Sequence, residues 1–197
     1  MGSDTTPPVG PVLAFDTSAA HCAVALRVGG ATATRADGMA RGQADALMPM
    51  MHAVLSEKGL GIQDLWRIGV GIGPGNFTGI RIAISAARGL ALGLAVPALG
   101  VSGFEALRHG ISARVAAIPA PRATAYVQHG TAPPEQIDLA EVPAEAVWPG
   151  DPEDHVRAIA EITATAAHVS SAPSPLYIRP PDAVPAADPG PVIFDDT

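Results

Sequence analysis

The segment that most constrains the fold is residues 71–94, where a glycine-rich loop leads into a predicted helix that is apolar on nearly every side. At about 100° per residue, one side is covered by Ile80, Ala83, Ile84, Ala87, Ala91 and Leu94. A second strip holds small residues at i, i+4 and i+8, namely Ser85, Gly89 and Gly93, flanked by Ile82 and Ala86. Arg81 and Arg88 form the single charged edge. Because one sheet covers one face of a helix, something else must cover the other face.

A neighbouring predicted helix over residues 44–58 carries three of the five methionines, Met48, Met50 and Met51. Flexible thioethers suit adaptable association surfaces, although they also fill ordinary cores. Each helix alone is explained by burial in a core. Together they favour a helix-to-helix protein interface, because small residues let two helix backbones approach closely. The predicted partner-binding residues are Met50, Met51, Arg81, Ile82, Ser85, Ala86, Arg88, Gly89 and Gly93.

Strand patterns alternate with helical patterns along the chain, which indicates an α/β protein. Strands are predicted at 12–16, 22–28, 31–36, 68–72 and 95–99, with a hairpin from 115–118 and 124–128. Thr78 is the expected cap of the helix after the glycine loop, and Ser102 with Glu105 forms a capping box. Pro49 is expected in the first turn of its helix or at a kink. Another helix is predicted to begin at Asp151.

Charge and proline divide the chain near residue 105. Residues 1–105 hold seven acids and seven bases, whereas 106–197 hold twelve acids and five bases. Six prolines lie in the first part and fourteen in the second, so the second part is expected to be rich in loops. The predicted organisation is a flexible tail over 1–11, a first lobe over 12–105, a second lobe over 106–183 and a flexible tail over 184–197.

The glycine loop and the turn after the first strand are candidates for phosphate binding. Backbone N–H groups at a helix N-terminus attract anions, and an acid followed by two hydroxyls could position a magnesium-bound phosphate. The candidate residues are Asp16, Thr17, Ser18, Gly73 and Gly75. The alternative is equally open: the glycines serve a tight turn and close packing, and the acid makes a local turn bond.

Composition excludes several classes of function. A formal net charge of -7 argues against a stand-alone nucleic-acid binder. Cys22 is the single cysteine, so no intrachain disulfide forms, and its strand position predicts an inert thiol. The sequence shows neither a catalytic constellation nor a metal-ligating motif, so no catalytic or metal residues are predicted. Without a membrane span or signal peptide, the chain is expected to be cytoplasmic.

Several segments together resemble one known family. They are residues 13–18 (LAFDTS), 41–42 (RG), 46–49 (ALMP), 73–81 (GPGNFTGIR), 87–90 (ARGL), 96–97 (VP), 125–128 (AYVQ) and 175–183 (PLYIRPPDA). They resemble the bacterial threonylcarbamoyladenosine biosynthesis family TsaB, also called YeaZ. The glycine-loop string is the most specific of them.

The resemblance implies a two-lobed fold of the actin, sugar-kinase and chaperone-ATPase type, with ribonuclease-H-like lobes and a shortened second lobe. It implies a non-catalytic scaffold for tRNA threonylcarbamoyladenosine (t6A) formation beside the anticodon. The implied partners are the catalytic relative TsaD, the ATPase TsaE and a second copy of the chain, with tRNA contacted only through the complex. ATP with Mg²⁺ could bind at the partner interface.

The sequence departs from the family at three places. The family has His and Glu where this chain has Gln43 and Asp45, and Ser where it has Asn76. Residues 119–123 read PAPRA in place of a DARRG string. Partner binding is therefore carried over more directly than ligand binding. The alternatives to the scaffold are a nucleotide-binding module and, less favoured, a glycoprotease-like hydrolase.

Overall fold

A five-stranded mixed sheet forms the first half of the molecule. The computed structural model describes residues 10–167 and 172–178, and the sheet has the order β3-β2-β1-β4-β5. Strands β1, β2 and β3 pair antiparallel, whereas β1–β4 and β4–β5 pair parallel. Their bounds are Val12–Asp16, His21–Val28, Ala31–Gly38, Arg67–Gly71 and Ala98–Val101. The prediction of an α/β protein is confirmed.

Two helices, α1 (Gln43–Ser56) and α2 (Phe77–Leu94), pack on one face of this sheet. The core between them and the sheet includes Phe15, Leu47 and Ile80, each at most 2% exposed. A single 3-10 turn, Ile62–Asp64, precedes β4. Both helices lie close to their predicted positions.

Two details of these helices correct the sequence predictions. Pro49 lies in the second turn of α1, so the first of its two predicted positions is wrong, and a kink at this residue stays a prediction. The helix continues through it, although proline cannot donate the backbone bond to the carbonyl of Asp45. Helix α2 is capped by Asn76 and not by Thr78. The Asn76 Oδ1 accepts from the Gly79 N–H at 2.9 Å, two residues before the expected cap.

The second sheet has three antiparallel strands, β6 (Val115–Ala120), β7 (Thr124–His129) and β8 (Glu135–Asp138). The predicted hairpin is β6–β7, and it is confirmed. A short helix α3 (Gly103–Arg108) precedes this sheet and begins at the predicted capping box of Ser102 and Glu105. Strand β8 and the 3-10 turn Leu139–Glu141 were not predicted, because their sequence alternates weakly.

The last helix, α4 (Pro152–Thr165), begins at Asp151 as predicted but packs against the first sheet. It covers the sheet face opposite α1 and α2. Contact is close at Gly69, where an added Cβ would lie 2.3 Å from Thr163 Oγ1 and 3.1 Å from Ile159 Cγ2. The strand glycine therefore lets α4 approach the sheet closely. By sequence α4 belongs to the predicted 106–183 lobe, and the lobe bounds remain a prediction.

Residues 172–178, termed here the C-terminal strap, contact both halves of the molecule. The Leu176 N–H donates to the Ile72 carbonyl at 2.9 Å, just after β4. Leu176 and Ile178 pack into an apolar cluster with Phe104 of α3 and Ile118 of β6. Apart from Gly10 and Pro11, the predicted tails 1–11 and 184–197 lie outside the described residues.

Candidate functional site

The turn after β1 and the glycine loop after β4 meet at one edge of the first sheet. Strands β1 and β4 are parallel neighbours with Phe15 paired to Val70, so their carboxyl ends lie side by side. A Cβ at Gly71 would lie 2.0 Å from Asp16 Oδ1. The sequence predicts both segments as candidates for phosphate binding, and the structure places them side by side.

The hydroxyls predicted to face a phosphate are engaged within the chain. Thr17 Oγ1 donates to the Gly79 carbonyl at 2.6 Å, and Ser18 Oγ donates to Asp16 Oδ2 at 3.0 Å. The Asn76 backbone N–H donates to the Ser18 carbonyl at 2.6 Å. In this arrangement Thr17 and Ser18 hold the turn against the glycine loop.

The glycines of the loop permit this close packing. A Cβ at Gly75 would lie 2.1 Å from the Ser18 carbonyl oxygen, and one at Gly79 would lie 1.8 Å from that of Thr17. Gly73 has a φ of +90°, a conformation that favours glycine. The glycines therefore serve close packing and a positive-φ turn at these positions, and phosphate binding by the loop stays a prediction.

Asp16 is the electrostatic centre of this region, at 1% exposure. Burial alone would raise its pKa. The hydrogen bond from His21 Nε2 at 2.8 Å, the nearby His155 and the bond from Ser18 together outweigh burial, so the pKa is lowered. The Asp16 carboxylate is therefore charged, and it is bonded to Ser18 and His21 around the β1–β2 turn.

For His155 on α4, burial has a larger effect on the pKa than the neighbouring charges have. Burial lowers its pKa, Asp16 raises it and His21 lowers it, and the net direction is down. Its Nδ1 atom is buried and has no hydrogen-bond partner among the described residues. The imidazole is consequently held in its neutral form.

Metal-ligating side-chain types and the thiol of Cys22 are characterised by their surroundings in the described residues. Residues 10–167 and 172–178 contain no group of three or more His, Cys, Asp or Glu side chains arranged to hold a metal ion. Cys22 is buried, and burial together with Asp37 and Asp16 raises its pKa to about 11. The prediction that Cys22 is an inert thiol agrees with this environment.

A cavity between α3 and α4 was not anticipated from the sequence. Two pairs of ionisable groups line it: Asp154 binds Arg157 at 2.9 Å, and Glu161 binds His109 at 3.0 Å. The lining otherwise consists of Ala106, Leu107, Gly150, Asp151, His155 and Ala158. The His109–Glu161 pair bridges the end of α3 and α4, whereas the Asp154–Arg157 pair lies within α4.

The outer face of α2 is open. Ser85, Gly89 and Gly93 are exposed, and a Cβ added at either glycine would meet nothing within 4 Å. Ile82 and Ala86 beside them are half-buried. The described residues of the chain thus cover the inner face of α2 and leave the small-residue strip free.

Two of the nine predicted partner-binding residues are not on this surface. Met50 is 8% exposed and Met51 is 0% exposed, and both pack in the core beneath α1. Met48, one turn before Met51, is the exposed methionine at 39%. The correction follows from periodicity, because Met51 lies on the same stripe as Leu47 and so faces the sheet.

Three residues that sequence reasoning did not select lie on the surface of α2. Leu92 is 86% exposed, the largest exposure among the exposed large apolar side chains. It falls on the stripe of Arg81, Ser85 and Arg88 at 3.6-residue periodicity, which is the signal that could have identified it. Phe77 and Tyr177 are each 37% exposed and stack at 5.1 Å between ring centroids.

Helix α2 is also long and apolar enough to cross a membrane by length and composition, although 28% of its residues are buried in this fold. Core helices of proteins without a membrane span have the same composition. Packing of Ile80, Ala83 and Ala87 against the first sheet accounts for the apolar inner face.

Comparison with known families places most of this architecture in one group. Residues 25–130 match the family model described as TsaD, tRNA N6-adenosine threonylcarbamoyltransferase. The TsaB protein of Escherichia coli, a tRNA threonylcarbamoyladenosine biosynthesis protein, is 36% identical over 99 residues. The TsaB protein of Haemophilus influenzae is 34% identical over 96 residues. The matches cover 50% and 49% of this chain but 43% and 41% of those proteins, so the chain matches less than half of their length.

Solved structures extend the similarity to most of the chain. YeaZ from Pseudomonas aeruginosa is 25% identical with a TM-score of 0.66, covering 85% of this chain and 99% of that one. A second P. aeruginosa structure, described as having similarity to peptidase YeaZ, is 26% identical with a TM-score of 0.67. It covers 86% of this chain and 100% of the other. Two sheets with this strand order agree with the expected actin-like, ribonuclease-H-like fold.

Proposed function

This chain belongs to the TsaD family and to its TsaB/YeaZ members, and from that premise we propose that it is a non-catalytic subunit in tRNA t6A formation. Its role is to bind a TsaD-type threonylcarbamoyltransferase and support transfer of the threonylcarbamoyl group to the adenosine beside the anticodon. It acts in the cytoplasm and contacts tRNA only through the complex.

One observation carries the proposal: the strip of Ser85, Gly89 and Gly93 on α2 is uncovered. A helix backbone that is bare over two turns lets a partner helix approach closely and gain dispersion contacts along its length. Half-buried Ile82 and Ala86 and exposed Leu92 add apolar area beside the strip. Met48 on α1 is the methionine that remains available to the partner.

The proposal of a scaffold rather than an enzyme rests on the engaged groups at the sheet edge. Thr17 and Ser18 bond to Gly79 and Asp16, and the thiol of Cys22 is buried. These residues hold the glycine loop in place, and the loop in turn fixes the start of α2. The TsaE ATPase and a second copy of the chain are further proposed partners, the second copy competing for the face that TsaD would use.

Association with a TsaD-type transferase from the same organism is the direct test. We expect a 1:1 complex on size-exclusion chromatography after co-expression. Separate elution of the two folded proteins over the concentration range tested would contradict the proposal.

Gly89→Leu separates docking from folding. In the free protein the new side chain enters open space, and a leucine in a helix interior stabilises it by up to about 1 kcal/mol relative to glycine. In the complex it would clash with a closely packed helix, costing about 1–3 kcal/mol, or a roughly tenfold to hundredfold weaker Kd. Calorimetric titration gives the Kd and urea denaturation the stability.

Gly38→Leu is the matched control. Gly38 ends β3, is exposed and has open space at its Cβ, but it lies away from α2. It should leave the Kd unchanged. Unaltered binding by a folded Gly89→Leu variant would show that docking does not use the strip.

A further inference from the structure

The C-terminal strap holds the two arginines of α2. Arg81 Nε donates to the Tyr177 hydroxyl at 3.1 Å, and Arg88 Nε donates to the Pro173 carbonyl at 2.8 Å. The Arg81 guanidinium also lies 3.8 Å from the centroid of the Phe77 ring, which stacks on Tyr177. Each side chain is thus anchored through its inner nitrogen. The terminal nitrogens of both make no hydrogen bond within the described residues.

These two anchored cations lie on the open face of α2. Seven residues separate them, so they are about 10 Å apart along the helix axis and almost in line. Both are exposed, and no carboxylate of the described residues lies within 4.0 Å of either guanidinium. Arg81 and Arg88, termed here the arginine edge, therefore carry positive charge beside the apolar strip of α2, in a chain whose net charge is -7.

Such an edge suits carboxylates. A guanidinium presents a planar fork that matches a carboxylate, and a side chain already fixed at its Nε loses less conformational entropy on binding. A second copy of the chain fits poorly, because no Asp or Glu occurs between Asp64 and Glu105. Pairing α2 with α2 in an isologous dimer would bring arginines toward arginines, and α1 offers Asp45 alone.

We propose, on the basis of the proposed function, that α2 is built to receive a partner surface bearing two carboxylates about 10 Å apart, one for each of Arg81 and Arg88. The strap is then part of the docking site, with Tyr177 and Pro173 as positioning residues. The small-residue strip supplies close apolar contact, and the arginine edge sets register and favours this partner over a second copy of the chain.

Salt dependence and charge reversal test this inference. The Kd for the co-expressed TsaD-type transferase is measured from about 50 to about 500 mM NaCl. Wild type should bind more weakly as salt rises. The double variant Arg81→Glu/Arg88→Glu should bind at least about tenfold more weakly at low salt and lose the salt dependence. Arg114→Glu, an exposed arginine before β6, makes the same kind of charge change away from α2 and should behave as wild type.

Tyr177→Phe tests the strap separately. It removes the hydroxyl that holds Arg81 but keeps the ring on Phe77, so we expect a roughly twofold to fivefold weaker Kd at low salt that disappears at high salt. The same loss at every salt concentration would contradict a positioning role.

The remaining outcomes distinguish this inference from the proposed function. Unchanged binding by the charge-reversed variant, with weaker binding by Gly89→Leu, would overturn the arginine edge and leave docking intact. Wild-type binding absent at every salt concentration would overturn both. A second copy as the occupant would appear as tight wild-type self-association in sedimentation that the charge reversal alters.

Discussion

A buried carboxylate, that of Asp16 on β1, interacts with two histidines from other elements. They are His21 of β2 and His155 of α4. His21 Nε2 bonds Asp16 Oδ2 at 2.8 Å, and His155 reaches the same charge from α4. The pKa of Asp16 is lowered from 3.8, so the carboxylate remains charged throughout the neutral and mildly acidic range.

His155 should make stability depend on pH. Its pKa is lowered in the folded protein, mainly by burial, so the unfolded chain binds a proton more readily. The stability linked to the neutral ring is present above about pH 6.5, the unfolded value, and is lost as pH falls toward the folded pKa. We expect the free energy of unfolding in urea to decline between about pH 7 and pH 5.

His155→Gln is the comparison for this prediction. Glutamine cannot titrate, so its unfolding free energy should vary less over the same interval. An equal decline in both proteins would assign the pH dependence to other groups. Asp16 does not interfere, because its lowered pKa lies below this window.

The position of the glycine loop could be predicted from the sequence, but its contacts could not. The sequence located the loop, and it left phosphate binding and close packing open. The close packing is with two backbone carbonyl oxygens of the β1–β2 turn. A Cβ at Gly79 would lie 1.8 Å from that of Thr17, and one at Gly75 would lie 2.1 Å from that of Ser18. No local pattern reports a contact between segments more than fifty residues apart.

At the scale of elements, α4 is locked onto the first sheet at Gly69. The strand glycine leaves room for Thr163, whose Oγ1 donates to the Ile159 carbonyl at 2.7 Å. The sequence predicts this strand and, separately, a helix that begins at Asp151. The sequence could not predict that α4 packs on this strand. A glycine indicates that space is left beside the strand, but it does not indicate which element fills that space.

Gly69→Ala should destabilise the protein by about 1–3 kcal/mol, because the added methyl would overlap Thr163 Oγ1. Thr163→Ala removes that atom. The double variant should therefore lose less than the sum of the single losses, with a coupling energy of roughly 0.5 kcal/mol or more. Thermal and urea unfolding of the four proteins give the cycle, and strict additivity would contradict the contact.

The sequence predicted the exposed and buried faces of α2 better than those of α1. For α2 the 3.6-residue period placed the inner face and the small-residue strip correctly, but it missed Leu92. For α1 the methionines were grouped by adjacency in the chain. Helical periodicity turns Met50 and Met51 toward the core and leaves Met48 outside.

At the scale of the whole molecule, the C-terminal strap links the docking helix to the second sheet. Leu176 and Ile178 enter the cluster with Phe104 and Ile118, and the Leu176 N–H bonds to the Ile72 carbonyl. The resemblance included this segment as a motif without a role. Its position could not be predicted, because the strap has no helical or strand periodicity.

Removal of the strap side chains should loosen the second sheet. We expect Leu176→Ala/Ile178→Ala to lower stability by about 1–3 kcal/mol and to speed amide exchange in β6 and β7 more than in β1 and β4. Hydrogen exchange read by mass spectrometry provides the measurement. Ser174→Ala, an exposed change in the same segment, is the control. Equal acceleration across both sheets would mean that the strap supports the whole fold rather than the connection.

The return of α4 to the first sheet has a consequence for protein synthesis. Strands β1 to β5 leave the ribosome early, but Ala14, Ala23 and Ala25 on the far side of that sheet gain their cover only when α4 has emerged. The nascent chain must therefore carry a half-finished core while the entire second sheet is translated. During that interval the alanine face of the first sheet stays in contact with solvent.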